Sequence, residues 1–418
     1  MSSAAELVVI ADDLTGSCDT GVQFAARGIS TLVTIAREHL GEAAASASVL
    51  VVDTESRHVA PEEAAARVKA AALSGRRAGV QRFYKKADST LRGNVGAEIE
   101  ALMRAIGVTR LAFIPGFPAT GRTTRNGELL VNGVPLAQSA FARDPHEPAR
   151  DSSVCAILSR GTDLPVIVIS PRDACAGRTF GASTGGIAVF DCEDDDDLER
   201  IANILSREDA LLVTAGAGGF ASVLADKLGL TRSIRSHGTR YSGAVLAVCG
   251  SLHPASLRQA DYATRHGFVE IALPWPPPQG SEIPGSTAER IIGKVEIAAA
   301  RGANVLLRAR AEPGQDVRAY ALSARTAGAD SGVAAALARL AERCLTRAPF
   351  AGAVVFGGDT ALQLMLATNS GTLRPRLEIA PGVVLSDCES IGRDFAIVTK
   401  AGGFGDEDVL VKISDFFA

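Results

Sequence analysis

The feature that most constrains this chain is the alternation of short, continuously apolar, β-branched runs with Ala-rich stretches of helical spacing. In the first half the runs are ELVVIA (6–11), TLVTIA (31–36), SVLVVD (48–53), VQRFYK (80–85), RLAFIP (110–115), PVIVIS (165–170), GIAVFD (186–191) and ALLVTA (210–215). A strand covered on both faces reads as an unbroken apolar run, and parallel neighbours need a long crossover, which the helical stretches supply. The pattern predicts an α/β fold, a mostly parallel sheet with helices on both faces. Within GELLVNGVPLA, Asn132-Gly133 between apolar pairs is a type I′ hairpin signal, expected to form a flap. The acidic run Asp194 to Asp197 is expected to begin a helix, where carboxylates suit the dipole.

Past the polar, turn-rich TRSIRSHGTRYSG (231–243), a second α/β series opens with AVLAVC (244–249) and continues through FVEIAL, NVLLRA, AVVFGG and FAIVTK. At roughly 150 residues per domain, 418 residues fit two or three domains. The composition shift places the boundary between 1–238 and 239–418. With 43 basic against 47 acidic side chains, the net charge of -4 provides no global positive field for nucleic acid or an anionic membrane. An anionic ligand must be met locally. The seven cysteines are widely spaced without a C-x-x-C, which argues against a disulfide framework or a thiolate zinc site. The N-terminus has no basic start and only a short apolar run, so a cytoplasmic protein is expected.

Two segments of the first half concentrate chemistry at strand ends, where open α/β sheets bind ligands. ADDLTGSCDTG places Asp12 and Asp13 at the end of the first strand, with Thr15, Gly16 and Ser17 expected in a turn and Asp19 near the start of a helix. Alternation along a strand sends one of the two carboxylates into the crevice and leaves the other to brace the loop. Either can accept a hydroxyl proton, hold Mg²⁺ or cap the helix. YKKADSTLRGN crowds Lys85, Lys86, Asp88, Ser89, Thr90 and Arg92 just before a helix expected from Asn94, a pattern suited to a small carboxylate or phosphate. Lysine is scarce here, seven against 36 arginines, and three of the seven (Lys85, Lys86, Lys400) fall in these motif segments. Arg122, Arg125, Arg143 and His146 lie in a long connection of the kind that forms lids or binding loops, where His146 reads as a solvated loop residue.

The second half has three glycine-bearing junctions between strand and helix: VCGSLHPAS (Gly250, Ser251), VFGGDTA (Gly357, Gly358, Asp359, Thr360) and VTKAGGFG (Lys400, Gly402, Gly403, Gly405). Bare backbone N–H groups at such ends favour anions, and Lys400 and Asp359 are the residues expected to serve phosphate and Mg²⁺. Walker A is absent, since Gly293-Lys294 lacks the rest of the motif. GAGGFA (216–221) matches a dinucleotide fingerprint in part but lacks its acidic partner, and reads as a tight β–α turn. The Asp12-Asp13 pair lacks the D-x-D spacing of haloacid-dehalogenase-type phosphatases.

ADDLTGSCDTG, KKADSTLRGNVGAEIEA, PGFPATGRTTRNGELLVNGVPL with FARDP, GGDTA, and PGV followed by VTKAGGFG together resemble, in order, the four-carbon acid sugar kinase family. The resemblance implies an N-terminal acid-sugar domain, a C-terminal ATP domain, an active site in the cleft between them, and transfer of phosphate to a terminal hydroxyl. It places ATP on Ser251, Gly357 to Thr360 and Gly403, and the sugar acid on Asp12, Asp13, Asp88 and Arg92. Lys86, Ser89 and Arg122 join the substrate set, and Lys400 and Gly402 the nucleotide set, from their positions in the motifs. His253 and Pro254 stand where the family pattern has small polar residues. The motifs lie nearer threonate and erythronate kinases than the 3-oxo-tetronate branch. The expected function is an ATP- and Mg²⁺-dependent kinase making a 4-phosphate, with Asp13, or else Asp12, as base. A 3-oxo-tetronate kinase, a phosphatase and a non-catalytic sugar-acid binding protein are the alternatives, and homo-oligomerisation is left open.

Overall fold

The computed structural model describes residues 5–35, 40–143, 147–176, 185–232, 241–251, 253–274, 283–310, 332–390 and 393–418. His146 lies outside them. The chain divides into two compact units, Met1–Arg235 and Ser236–Ala418.

In the first unit, strands β1 (Leu7–Ala11), β2 (Thr31–Thr34), β3 (Val49–Asp53), β4 (Phe83–Lys86) and β5 (Arg110–Ile114) precede a ribbon of β6 (Arg122–Arg125), β7 (Glu128–Val131) and β8 (Val134–Pro135). β9 (Val166–Ile169), β10 (Gly186–Phe190) and β11 (Val213–Gly216) follow. The main sheet has the order β2-β3-β1-β4-β11-β5-β10-β9, with every pairing parallel. Helices α1 (Leu14–Ala25), α2 (Leu40–Ala44), α3 (Pro61–Arg77), α4 (Val95–Ile106), α5 (Val154–Leu158), α6 (Pro171–Cys175), α7 (Asp195–Arg207) and α8 (Gly218–Lys227) cover it. α1, α8, α7 and α6 pack in series on one face and α2, α3, α4 and α5 on the other, so strands such as Val49–Asp53 are buried throughout. Asn132 and Gly133 take the positive φ of a two-residue turn, 51° and 77°, and pair β7 with β8. Asp194 caps α7 by accepting from the Asp197 amide at 2.8 Å.

The order matters for function. From β1 the chain runs outward to β2 and back to β3, then crosses to β4 on the other side. The sheet therefore has its topological switch point between β1 and β4, where a crevice opens beyond the strand ends. ADDLTG leaves β1 there and KKADST leaves β4.

The second unit repeats the device. β12 (Val245–Cys249), β13 (Val269–Pro274), β14 (Val305–Arg310), β15 (Gly352–Phe356), β16 (Thr372–Ala380), β17 (Val383–Ser390) and β18 (Arg393–Lys400) stand in the order β13-β14-β12-β15-β18-β17-β16. Its switch point lies between β12 and β15. α9 (Pro254–Arg265) and α13 (Val409–Asp415) pack together, as do α10 (Gly285–Ala299), α11 (Gly332–Arg347) and α12 (Gly358–Ala367) in series. The sheet is more mixed than the sequence pattern indicates. Its first five strands are parallel, while β18-β17 and β17-β16 are antiparallel. β16 is half-solvated, so its apolar residues alternate with Arg374, Arg376 and Glu378 instead of forming an unbroken run.

Candidate active site

β1 ends at Ala11, and Asp13 at once becomes the N-cap of α1. Its backbone is extended (φ -148°), Oδ1 accepts from the Gly16 amide at 2.8 Å, and Oδ2 accepts from the Thr15 hydroxyl at 2.7 Å. Thr15, Gly16 and Ser17 are therefore the first helical turn and not a separate turn before it. Asp13 caps closely enough for the helix to start at Leu14. Gly16 permits this, since a Cβ there would stand 2.5 Å from Asp13 Oδ1 and 3.2 Å from Lys86 Nζ.

With the strand finished, alternation no longer separates the two carboxylates. Both turn to Arg57: Nε lies 2.6 Å from Asp12 Oδ2, Nη1 2.7 Å from Asp13 Oδ2, and Nη2 3.7 Å from Asp88 Oδ1. Arg57 was not singled out in the sequence. It comes from the loop after β3, which pairs in register with β1 so that Asp53 sits beside Ala11. The available signal was its place just past the strand adjoining β1. The Thr54 hydroxyl donates to Ala11 O at 2.6 Å, the Ser56 amide to Asp12 O at 3.0 Å, and Asn94 Nδ2 to Ser56 O and Val59 O at 2.9 Å each. The Ser56 hydroxyl reaches Glu98, whose carboxylate is paired at 3.0 Å with the buried Lys85. Lys85 thus anchors the loop that carries Arg57.

Asp88 organises the other side of the crevice. Its carboxylate accepts from the Thr90 hydroxyl and amide and takes the Arg92 fork, with Nε–Oδ2 and Nη2–Oδ1 both at 2.9 Å. Ser89, next in sequence to Asp88, is half-buried. Lys86 is buried, donates to Ala87 O at 2.9 Å, and has its ammonium beside the first turn of α1. Arg122 on β6 lies with its guanidinium 5.5 Å from the Phe141 ring centroid, within electrostatic reach of Asp88, Arg92 and Asp19. Arg125 pairs instead with Glu193 on the surface, and Arg143 is exposed.

Burial alone would raise the Asp12 pKa, but Arg57, backed by Lys85 and Lys86, outweighs it and holds Asp12 below its usual value. Asp88 lies well below its usual value because Arg92 and Arg57 overcome the same burial. Asp53, which has no cationic partner of this kind among the described residues, is pushed up to about 7 by burial, with the charges of Asp13 and Asp12 adding to the shift. Among the described residues, one buried oxygen of Asp12 (Oδ1) and one of Asp53 (Oδ2) stay without a hydrogen bond. Arg57 and Asp12 make a site that has a positive clamp and an unsatisfied acceptor.

In the second unit the three glycine junctions meet at Ser251. A Cβ on Gly357 (φ 97°) would stand 3.5 Å from Ser251 Cβ, and one on Gly402 3.2 Å from Ser251 Oγ. Gly250 is packed against the Thr360 side chain. The Gly357 amide donates to Lys400 O at 3.0 Å, and Gly358 opens α12 without a side-chain cap. Asp359 is exposed in the first turn of that helix, and Gly403 is exposed next to His253. His253 takes over the role of a small polar cap on α9, with Nδ1 accepting the Ala255 amide at 3.2 Å and Pro254 following at the first helical position. Lys400 is fully buried and turned away from the loop's outer side. Its Nζ donates to Ala401 O at 2.9 Å, Gly402 O at 3.2 Å and Phe404 O at 3.0 Å, and sits 4.8 Å from the Phe356 ring centroid. Among the described residues no group of three or more His, Cys, Asp or Glu side chains is placed to hold a metal ion.

Residues 7–224 match a family described as a sugar-binding N-terminal domain, and residues 246–410 one described as a nucleotide-binding C-terminal domain. The D-threonate kinase of Bordetella bronchiseptica is 35% identical over 97% of this chain and 95% of its own length. That of Salmonella typhimurium is 32% identical over 97% and 96%. The D-erythronate kinase of Heliobacterium modesticaldum is 30% identical over 98% and 96%. A crystal structure of a Salmonella typhimurium protein described as a putative tRNA synthase superposes with a TM-score of 0.78 at 22% identity, covering 99% of both chains, and shares the fold. On the strength of the matched domains and the full-length relatives, the chain belongs to the four-carbon acid sugar kinase family.

Proposed function

We propose that the protein is an ATP- and Mg²⁺-dependent kinase that phosphorylates the terminal hydroxyl of D-threonate, with D-erythronate as the next candidate. The family is one of four-carbon sugar acid kinases, and the threonate kinases among its relatives share more identity with this chain than the erythronate and 3-oxo-tetronate kinases named beside them. The observation that carries the mechanistic reading is the buried Asp12, with Oδ2 held by Arg57 and Oδ1 unsatisfied.

A four-carbon acid presents a carboxylate at one end and the reacting hydroxyl at the other. Lys86, Ser89, Arg92 and Arg122 supply the cationic and hydroxyl donors for the carboxylate and chain hydroxyls, and Asp88 keeps the Arg92 fork in place. Asp12 Oδ1 accepts the proton of the terminal hydroxyl. Asp13, favoured on sequence grounds, has both carboxylate oxygens engaged in capping α1 and in the Arg57 pair, which leaves the acceptor role to Asp12. The weak basicity of Asp12 is adequate, because a loose phosphoryl-transfer transition state puts little demand on the base and most on positioning and charge neutralisation.

The nucleotide phosphates are taken by the N–H groups around Ser251, Gly358, Thr360, Gly402 and Gly403, while Gly357, whose own N–H is given to Lys400 O, shapes the turn. Mg²⁺ is compatible with a site offering one exposed carboxylate, since it is usually bound by one or two carboxylates together with phosphates and water. Asp359 would hold it, and the ion would neutralise charge on the transferring phosphate. The test is ADP release coupled to a reporter with D-threonate, L-threonate, D-erythronate and 3-oxo-tetronate in turn. Turnover with D-threonate in excess of the others supports the reading, and no ADP above background with any of them overturns it.

A further inference from the structure

The loop after β18 has an arrangement that its sequence does not announce. Three buried side chains direct donors onto its carbonyls. Lys400 Nζ bonds Ala401 O, Gly402 O and Phe404 O, which commits all three ammonium protons. Ser256 Oγ donates to Gly402 O at 2.8 Å. Gln259 Nε2 lies 3.0 Å from Phe404 O, 2.7 Å from Gly405 O and 3.1 Å from Asp406 O. Lys400 and Ser256 are fully buried and Gln259 is 1% exposed. In contrast, the amides of Gly402, Gly403 and Gly405 donate no hydrogen bond among the described residues, and Gly403 and Gly405 are exposed.

We propose that Lys400, Gln259 and Ser256 are positioning residues of the nucleotide site, holding the carbonyls of loop 401–406 inward so that its glycine amides are presented to the phosphates. The inference rests on the reading that this unit takes ATP, and it gives Lys400 a role other than direct phosphate contact. A glycine-rich loop is the most costly backbone to order. Its carbonyls, if free to swing out, would repel an anion at the point where the amides should attract it. Seven donor contacts, made by six protons because the Gln259 amide shares its two among three oxygens, hold five carbonyls and remove that freedom before the ligand arrives, which is preorganisation in the sense that lowers the cost of binding. A buried ammonium suits the task because it has three donors and no acceptor.

The lock also responds to pH. Burial brings Lys400 down to about 8. Deprotonation removes the charge and one donor, so the loop loosens as pH rises through that value. The group facing Lys400 from β12 is Cys249, whose thiol burial pushes up to about 11, and Arg308 on β14 lies near that thiol. Both keep their charge state while Lys400 titrates, and His253, whose ring stands next to Gly402 and Gly403 at the start of α9, is common to the wild type and Lys400→Met, so the difference between their pH profiles reads Lys400.

The experiment is calorimetric binding of the nonhydrolysable analogue AMP-PNP with Mg²⁺ to the full chain, from pH 6.5 to pH 9.5, together with KM for ATP and for the sugar acid. Lys400→Met and Gln259→Leu should each weaken AMP-PNP by about tenfold or more and raise KM for ATP alike, with KM for the acid unchanged. Wild-type affinity should fall as pH passes about 8, and that slope should vanish in Lys400→Met. If Lys400→Met does not fold, Gln259→Leu and Ser256→Ala decide by the split between the two KM values. AMP-PNP binding retained at wild-type strength in the variants, or equal loss for both substrates, overturns the proposal. Failure of the wild type to bind AMP-PNP removes the ATP reading and the proposal together.

Discussion

Arg57→Met isolates the electrostatic centre of the first unit. The Arg57 side chain is 9% exposed and ties two carboxylates at 2.6 and 2.7 Å, with a third at 3.7 Å. Its removal strands Asp12, Asp13 and Asp88 in a buried site. Breaking one buried pair in this way costs about 3 to 5 kcal/mol. Lys85 and Lys86 still act on Asp12, and Arg92 still grips Asp88, so the expected loss at pH 7 is in the lower part of that range, about 3 to 4 kcal/mol. The sign of the pH dependence tests the cause. In the wild type the Asp12 and Asp88 pKa values are depressed. Their contribution to stability is therefore present above the unfolded value near 3.8 and lost as pH falls through the lower folded values. Without Arg57, burial dominates at Asp12 and raises its pKa, so the variant regains stability on acidification from neutral pH while the wild type gains nothing at that residue. The deficit measured by urea unfolding should narrow by about 1 kcal/mol between pH 7 and pH 5. A deficit under about 1 kcal/mol at pH 7, or one that does not narrow, would refute the view that Arg57 is held by charge and not by packing.

Asp12→Asn should lower kcat about 100-fold with both KM values within a few-fold, and more than Asp13→Asn does, as steady-state kinetics would report. Arg92→Lys keeps the charge but loses the fork on Asp88, so KM for the sugar acid should rise sharply while KM for ATP stays put. Gly16→Ala forces a Cβ to 2.5 Å from Asp13 Oδ1 and should cost about 1 to 2 kcal/mol by loss of the cap, read from the unfolding midpoint. Asp53 has a folded pKa of about 7, above its unfolded value, so the wild type loses stability as pH rises from about 4 to 7 on its account. Asp53→Asn should flatten that part of the profile and be the more stable chain at pH 8; an unchanged slope would show that Asp53 is ionised throughout.

The parallel strands were legible because burial on both faces leaves an unbroken apolar run, but the switch points were not, since they depend on the strand order, which the alternation of runs and helices leaves open. β16 escaped detection for the converse reason, since a partly solvated strand that interleaves Arg374, Arg376 and Glu378 with its apolar residues has the composition of a loop. The site was legible by strand end but not by role. Asp12 and Asp13 were placed at the crevice, yet nothing in the sequence says that the strand stops at Ala11 and that both then turn to one guanidinium. Arg57 has no motif of its own and is brought there by the in-register pairing of β3 with β1. The lysines carry the point further. Lys85, Lys86 and Lys400 all sit at strand ends and all are buried, and scarcity singled out all three without telling them apart. Alternation sends Lys85 to the opposite face of β4 from Lys86, where Glu98 on α4 meets it, while Lys86 is left beside the first turn of α1. Lys400 turns under its own loop because the acceptors there are backbone carbonyls, which have no signature in the side-chain code. A charge at a strand end therefore identifies a place for chemistry, and the partner that the fold brings to it decides whether the charge anchors a loop, faces the substrate or fixes a backbone.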